Sequence, residues 1–243
     1  NPAAGTTINL TFGSLTTAGT CGGITIAGTT TGMVNMLDGI TIGATKIVTI
    51  TSGTLHTDGA SDVSGLTHSW GKCLFATGTK TVNLGNSSIT LTGGAATYAW
   101  DLNTTSTLTC GTSTIILTNA TSLIRTNAQT YYNVELNGGN NGLLCNAAST
   151  VNFNNLTVTG SASKTSDFNF GGLATWNING ALSFIGNSAT NRLLVYSNTL
   201  GTARTITLGA SATTAITKCD FRDITLADTA RTISSAATAD AGA

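Results

Sequence analysis

The sequence predicts an all-β chain folded as a parallel β-helix, a β-solenoid of roughly nine or ten coils, and three observations predict it. The first is recurrence. Six short segments place two inward-type residues around a small polar one and then a Gly or Asn: Ile40-Thr41-Ile42-Gly43, Val82-Asn83-Leu84-Gly85, Leu108-Thr109-Cys110-Gly111, Val151-Asn152-Phe153-Asn154, Trp176-Asn177-Ile178-Asn179 and Ile206-Thr207-Leu208-Gly209. The second is period. Ile47 to Thr51, Ser88 to Thr92 and Asn155 to Thr159 alternate apolar and polar residues at two, the spacing of a strand and not of a helix. The third is composition. Fifty threonines, 29 glycines, one proline and a single glutamate, Glu135, favour strands and tight corners.

Taken in order, Ile8-Asn-Leu10-Thr-Phe12 and Ile24-Thr-Ile26 supply two alternating strands ahead of the first motif. Each of the first five motifs is followed by a second alternating pair: Val48/Ile50, Ile89/Leu91, Ile115/Leu117, Leu156/Val158 and Leu182/Phe184. The unit is therefore strand, corner, strand. Motif starts are separated by about 25 to 30 residues or by about 42, within the range of stacked repeats. Each wide gap holds a weaker strand, Cys73-Leu74-Phe75 in one and Tyr132-Asn-Val134-Glu-Leu136 in the other. At the usual strand spacing nine or ten coils would extend about 45 Å. Residues 1–243 are thus expected to form one elongated domain of a longer chain, and an antiparallel β-sandwich of similar strand length is the competing fold.

Charged residues make up 8% of the chain, ten basic and ten acidic, which leaves no basic stripe for nucleic acid. Apolar runs are broken every two or three residues, so membrane insertion is not expected. The chain opens at Asn1-Pro2 without Met, as expected of a processed or excised segment. Five cysteines stand far apart with no C-x-x-C pair, and Cys110 and Cys219 occupy inward strand positions where a thiol acts as a small hydrophobe. No nucleotide-loop, hydrolase-elbow or zinc-protease motif is present, so neither a cofactor nor a resident metal is expected.

The densest chemistry lies between residues 55 and 70, which hold both histidines, His56 and His68, with Asp58, Asp62 and Trp70. Imidazole beside carboxylate can bind a ligand or move a proton, although H-x-D-x3-D-x5-H is no known metal spacing. The second wide gap adds the pair Tyr131 and Tyr132, and aromatic rings also occur at Tyr98, Trp100 and Tyr196. The ligand-binding candidates are accordingly His56, Asp58, Asp62, His68, Trp70, Tyr131 and Tyr132. Lys218-Cys-Asp-Phe-Arg-Asp-Ile-Thr places Asp220 and Arg222 on one strand face, expected to pair with each other, with Asp223 at the bend. Recurrent Thr-x-Thr pairs could build a flat threonine lattice, but equivalent positions reading Ile116/Thr118 and Ser183/Ile185 break its register.

The Thr-, Ser-, Asn- and Gly-rich coils, the scarcity of Pro and Lys, and the segment from Lys218 to Thr225 together resemble β-helical virion appendages of tailed bacteriophages, the tail fibres and tailspikes. The resemblance implies a rigid element of a virion, commonly a homotrimer, that joins other virion proteins and contacts a host surface glycan or protein. A non-enzymatic structural and adhesive role follows, because no Asp/Glu cluster of the depolymerising tailspikes is evident. A bacterial cell-surface adhesin or filament subunit is the second reading. A polysaccharide-degrading tailspike using Asp220, Asp223 or His56 is the third.

Overall fold

A computed structural model describes residues 5–11, 23–29, 31–59, 65–93, 98–102, 106–145, 149–162, 166–172 and 175–228. The chain is an all-β parallel β-solenoid of about seven turns, with no helix among the described residues. Among the described residues no helix is long and apolar enough to cross a membrane. The described strand pairings are parallel throughout, which removes the antiparallel sandwich. Residues 1–117 and 118–243 form two compact units.

In the first unit the strands are β1 (Thr7–Leu10), β2 (Ile24–Ala27), β3 (Met33–Met36), β4 (Ile47–His56), β5 (Thr67–Trp70), β6 (Lys72–Phe75), β7 (Lys80–Asn83), β8 (Ser88–Leu91), β9 (Tyr98–Leu102), β10 (Thr107–Thr109) and β11 (Thr114–Leu117). They stack as three columns of inward side chains. One runs Ile8, Val34, Leu55, Val82, Leu108. A second runs His68, Ile89, Ile115, with Ile40 and Ile42 joined to it through the Thr41 to Ser69 bridge. The third runs Ile24, Val48, Cys73, Trp100. From β4 to β8 the rungs bury their alternate residues against neighbouring turns, which a single turn cannot do alone.

Seven turns, and not nine or ten, follow from these columns. A turn such as β7, β8, β9 carries three strands, one per column, and each reads as the same alternation ended by a small residue. The Ile24 strand stacks on Val48 and belongs to a different side from Ile8. Val82 stacks on Leu55, whereas Ile40 lies on the side of His68 and Ile89. A count of nine or ten takes strands on different sides of one turn for separate coils.

The second unit contains β12 (Leu123–Arg125), β13 (Thr130–Leu136), β14 (Asn141–Cys145), β15 (Thr150–Thr159), β16 (Ser166–Gly172), β17 (Thr175–Ile185), β18 (Leu193–Ser197), β19 (Arg204–Leu208), β20 (Thr213–Thr217), β21 (Cys219–Arg222) and β22 (Ile224–Ala227). Here β12, β14, β16, β18 and β21 pair in succession, and β13, β15, β17, β19 and β22 form the other ladder, with β20 also on β17. The motifs at Val151, Trp176 and Ile206 stack in register, one turn apart, as their spacing predicts. The strand of the second wide gap also takes its place, Val134 on Leu156 and Leu136 on Val158.

The corners are visible as a change of phase. In β15, Val151 and Phe153 point inward, Asn154 and Asn155 are both half-buried, and Leu156 and Val158 point inward again. Asparagine suits the bend because its amide bonds along the stack. Asn155 Nδ2 donates to Asn133 Oδ1 at 2.7 Å, and Asn155 Oδ1 accepts from the Ala181 N–H at 2.8 Å. Aromatic residues fill the core of this unit: Tyr131, Phe153 and Trp176 stack at 5.6 and 6.2 Å, and Phe168 meets Phe170 edge-on at 4.8 Å. Cys73, Cys110, Cys145 and Cys219 are buried thiols, as expected of Cys110 and Cys219, and Cys21 lies outside the described residues. Burial raises the Cys73 and Cys219 thiols above their ordinary range, so both stay protonated.

Candidate functional site

His68 takes a place in the core column that aliphatic residues occupy elsewhere, between Ile40 and Ile89. Its side chain is 0% exposed. The position is tenable because both ring nitrogens are satisfied: Nε2 donates to the Thr57 carbonyl at 2.7 Å, and Nδ1 accepts the Ile40 N–H at 3.3 Å. Burial lowers its pKa below the ordinary 6.5, against smaller opposing effects of the Thr57 carbonyl and the Asp58 carboxylate. The imidazole is therefore neutral, with its proton on Nε2, and has no lone pair left for a metal or a substrate.

Thr57 and Asp58 follow β4 directly and are equally enclosed. Asp58 Oδ1 accepts the Leu66 N–H at 2.7 Å, and Oδ2 accepts the Asn86 N–H at 3.2 Å. Its carboxylate thus fastens the return of the chain to the neighbouring turn. Thr57 adds a hydroxyl contact with Ser87 at 2.8 Å and donates its N–H to the Asn83 carbonyl. His56 lies on the opposite face of β4, in a polar column of Asn9, Asn35 and Asn83, where Asn83 Nδ2 donates to its Nε2 at 3.1 Å. Asp62 lies outside the described residues. No group of three or more His, Cys, Asp or Glu able to hold a metal occurs among the described residues.

The aromatic candidates divide. Trp70 is buried in the core beside His68, their rings 5.4 Å apart. Tyr131 is also buried, its hydroxyl donating to the Thr126 carbonyl at 2.8 Å. Tyr132 does not continue an alternation with Val134, because β13 bends at Tyr132 and Asn133 and both are half-buried. His68, Trp70 and Asp58 are brought together, but as a brace inside the wall. Tyr131 and Tyr132 belong to the other unit.

Chemistry collects instead on the outer face of β16, β18 and β21. Asp167, Leu194 and Asp220 form one outward column, and Asn169, Tyr196 and Arg222 form the next. Asp220 does not pair with Arg222. The adjacent turn brings Arg192 to Asp220, Nε to Oδ2 at 2.8 Å and Nη2 to Oδ1 at 2.7 Å, while Arg222 Nε lies 3.9 Å from Asp223 Oδ2. Arg222 lies over the Tyr196 ring at 4.7 Å. Burial and Asp167 raise the Tyr196 pKa, with Arg222 and Asn169 opposing, so its hydroxyl remains a donor at neutral pH. Asp223, at φ 56°, accepts the Gly201 N–H through Oδ2 at 2.9 Å. Sequence reasoning missed Asp167, Asn169, Arg192 and Leu194; the recurrence of Asp167, Leu194 and Asp220 about one turn apart is the signal that would have found this face.

The threonine lattice fails in the structure as its register predicts. Outward columns read Thr25, Thr49, Leu74, Asp101 on one side and Thr41, Ser69, Thr90, Ile116 on another. Comparison with known protein families, curated proteins and solved structures finds no match to this chain.

Proposed function

We propose that the chain is a structural and host-adhesion element of a bacteriophage virion, a tail fibre or similar appendage, with the stacked turns as spacer and the face of β16, β18 and β21 as the contact with a host surface glycan. The observation that carries this reading is the outward ladder of Asp167, Asn169, Tyr196, Asp220 and Arg222 across three neighbouring turns. Its two guanidinium groups are engaged, Arg192 with Asp220 and Arg222 with Asp223 and the Tyr196 ring. What remains is an array of hydrogen-bonding groups around an aromatic ring. Such an array suits a neutral polyhydroxylated ligand better than a polyanion.

A non-catalytic role is supported by how the carboxylates are held. Asp220 is bound by a guanidinium, Asp223 by a backbone N–H, and Asp58 by two. A homotrimer joined to other virion proteins completes the proposal.

Labelling the chain on its intact source particle by electron microscopy tests the location. Density on a virion is expected, and density on a cell envelope replaces this reading with that of a bacterial adhesin or filament. Retention on purified host polysaccharide tests the contact: the double change Tyr196→Ala and Arg222→Ala is expected to weaken it about tenfold, or roughly 1.4 kcal/mol. Unchanged retention places the contact elsewhere, and release of oligosaccharide overturns the non-enzymatic reading.

A further inference from the structure

We propose that Asn179 is a site of spontaneous deamidation, the member of three Asn-Gly pairs whose surroundings leave the reaction open. The pairs are Asn137-Gly138, Asn141-Gly142 and Asn179-Gly180. In the reaction the Gly180 backbone nitrogen attacks Cγ of Asn179. A C–N bond closes the succinimide ring, the Cγ–Nδ2 bond breaks, and ammonia leaves with the amide proton. Water then adds to either imide carbonyl and opens the ring to aspartate or isoaspartate. One water enters, one ammonia departs, and nothing is oxidised or reduced.

The reaction needs a carboxamide free to turn toward the next nitrogen, and a nitrogen not held elsewhere. Two pairs fail this requirement. The Gly138 N–H donates to Asn141 Oδ1 at 3.0 Å, so the nitrogen beside Asn137 is occupied. Asn141 is itself buried, and its Nδ2 donates to the Asn119 and Ser122 carbonyls at 3.0 and 3.1 Å, which holds the carboxamide at both ends.

Asn179 and Gly180 stand at the corner of β17, where the ladder passes them by. Toward β15 the pairing runs from Ile178 on Phe153 directly to Ala181 on Asn155. On the other side β19 pairs up to Ile178 and β20 begins at Ala181. Asn179 is exposed. Glycine is also imposed at the next position, because a Cβ on residue 180 would lie 2.6 Å from Asn155 Oδ1 and 2.7 Å from the Asn154 carbonyl. The labile dipeptide is thus fixed by the neighbouring turn, and the side chain that would shield it cannot be added. Conversion would place a carboxylate at a neutral corner, and the isoaspartyl form would lengthen the main chain there by one carbon.

The test incubates the purified chain at mildly alkaline pH, then quantifies each Asn-Gly site by peptide mass spectrometry and isoaspartate by methyltransferase labelling. Asn179 is expected to convert about tenfold faster than Asn137 or Asn141 in the folded chain, and the three rates are expected to converge in urea. Asn179→Gln should remove the fast isoaspartate signal and leave the circular dichroism unchanged. Equal rates at the three sites in the folded chain, or an Asn179 slower than Asn137, overturn the proposal.

Discussion

In the first unit a core column reads Ile40, His68, Ile89, Ile115; in the second, a column reads Tyr131, Phe153, Ile178, Leu208. Both are continuous and both exclude water. The aromatic column needs no polar partner except at its Tyr131 end, so its stability rests on contact area and ring packing. The column with a histidine is stable only while Thr57 supplies a carbonyl and Ile40 an N–H, which makes the loop after β4 part of the core. A buried polar rung buys attachment of that loop at the cost of sensitivity to protonation.

The comparison is broken most severely from the aromatic side. Trp176→Ala should destabilise the fold by about 3–5 kcal/mol, read from the urea midpoint, by leaving a cavity beside Phe153 and Phe170. Trp176→Phe should cost far less, because the buried indole Nε1 has no hydrogen-bond partner to lose. Asp58→Ala comes next. It strips the acceptor from two N–H groups and should cost about 2–4 kcal/mol, with faster hydrogen exchange at Leu66 and Asn86.

His68 sharpens the comparison through pH. Because its folded pKa lies below 6.5, the unfolded chain binds the proton first as pH falls. Its contribution is complete above about pH 6.5 and declines as pH drops toward the folded value, by at most about 1.4 kcal/mol per pH unit. His68→Leu should flatten this slope and lower stability at neutral pH by about 1–3 kcal/mol, as the Thr57 carbonyl loses its donor. Urea titrations at several pH values separate the two effects. The smallest change is expected on the outer face, where Asp220→Asn should cost about 1 kcal/mol or less and lose its effect in high salt.

The strands were legible in the sequence because inward positions alternate wherever the ladder is regular, as at Ile89/Leu91 and Leu156/Val158. The number of turns was not. All three sides of a turn end on the same small residues, so nothing local distinguishes the Ile40 side from the Val82 side, and only the pairing of Val82 with Leu55 does. The segment holding His56, Asp58 and His68 stood out by its density, but its role did not, since the partners of Asp58 and His68 are main-chain groups that leave no mark on a sequence. The inward position is Tyr131 and not Tyr132, because the bend at Tyr132 and Asn133 shifts the phase by one residue. The outer face illustrates the opposite limit: Asp220 and Arg222 were visible, but Arg192 and Tyr196 join them only across a turn.

Strands β15 and β17 run on through their corners, each pairing with the other before and after the bend. A turn in this part of the molecule cannot be peeled from one side alone, because detaching the segment before the corner strains the segment after it. Pulled from its C-terminal end, the second unit should therefore yield in steps the length of whole turns, each peak reporting the interface between two neighbours. Asn133 and Asn155 act in that setting as rivets, and the mechanical unit of the protein is the turn and not the strand.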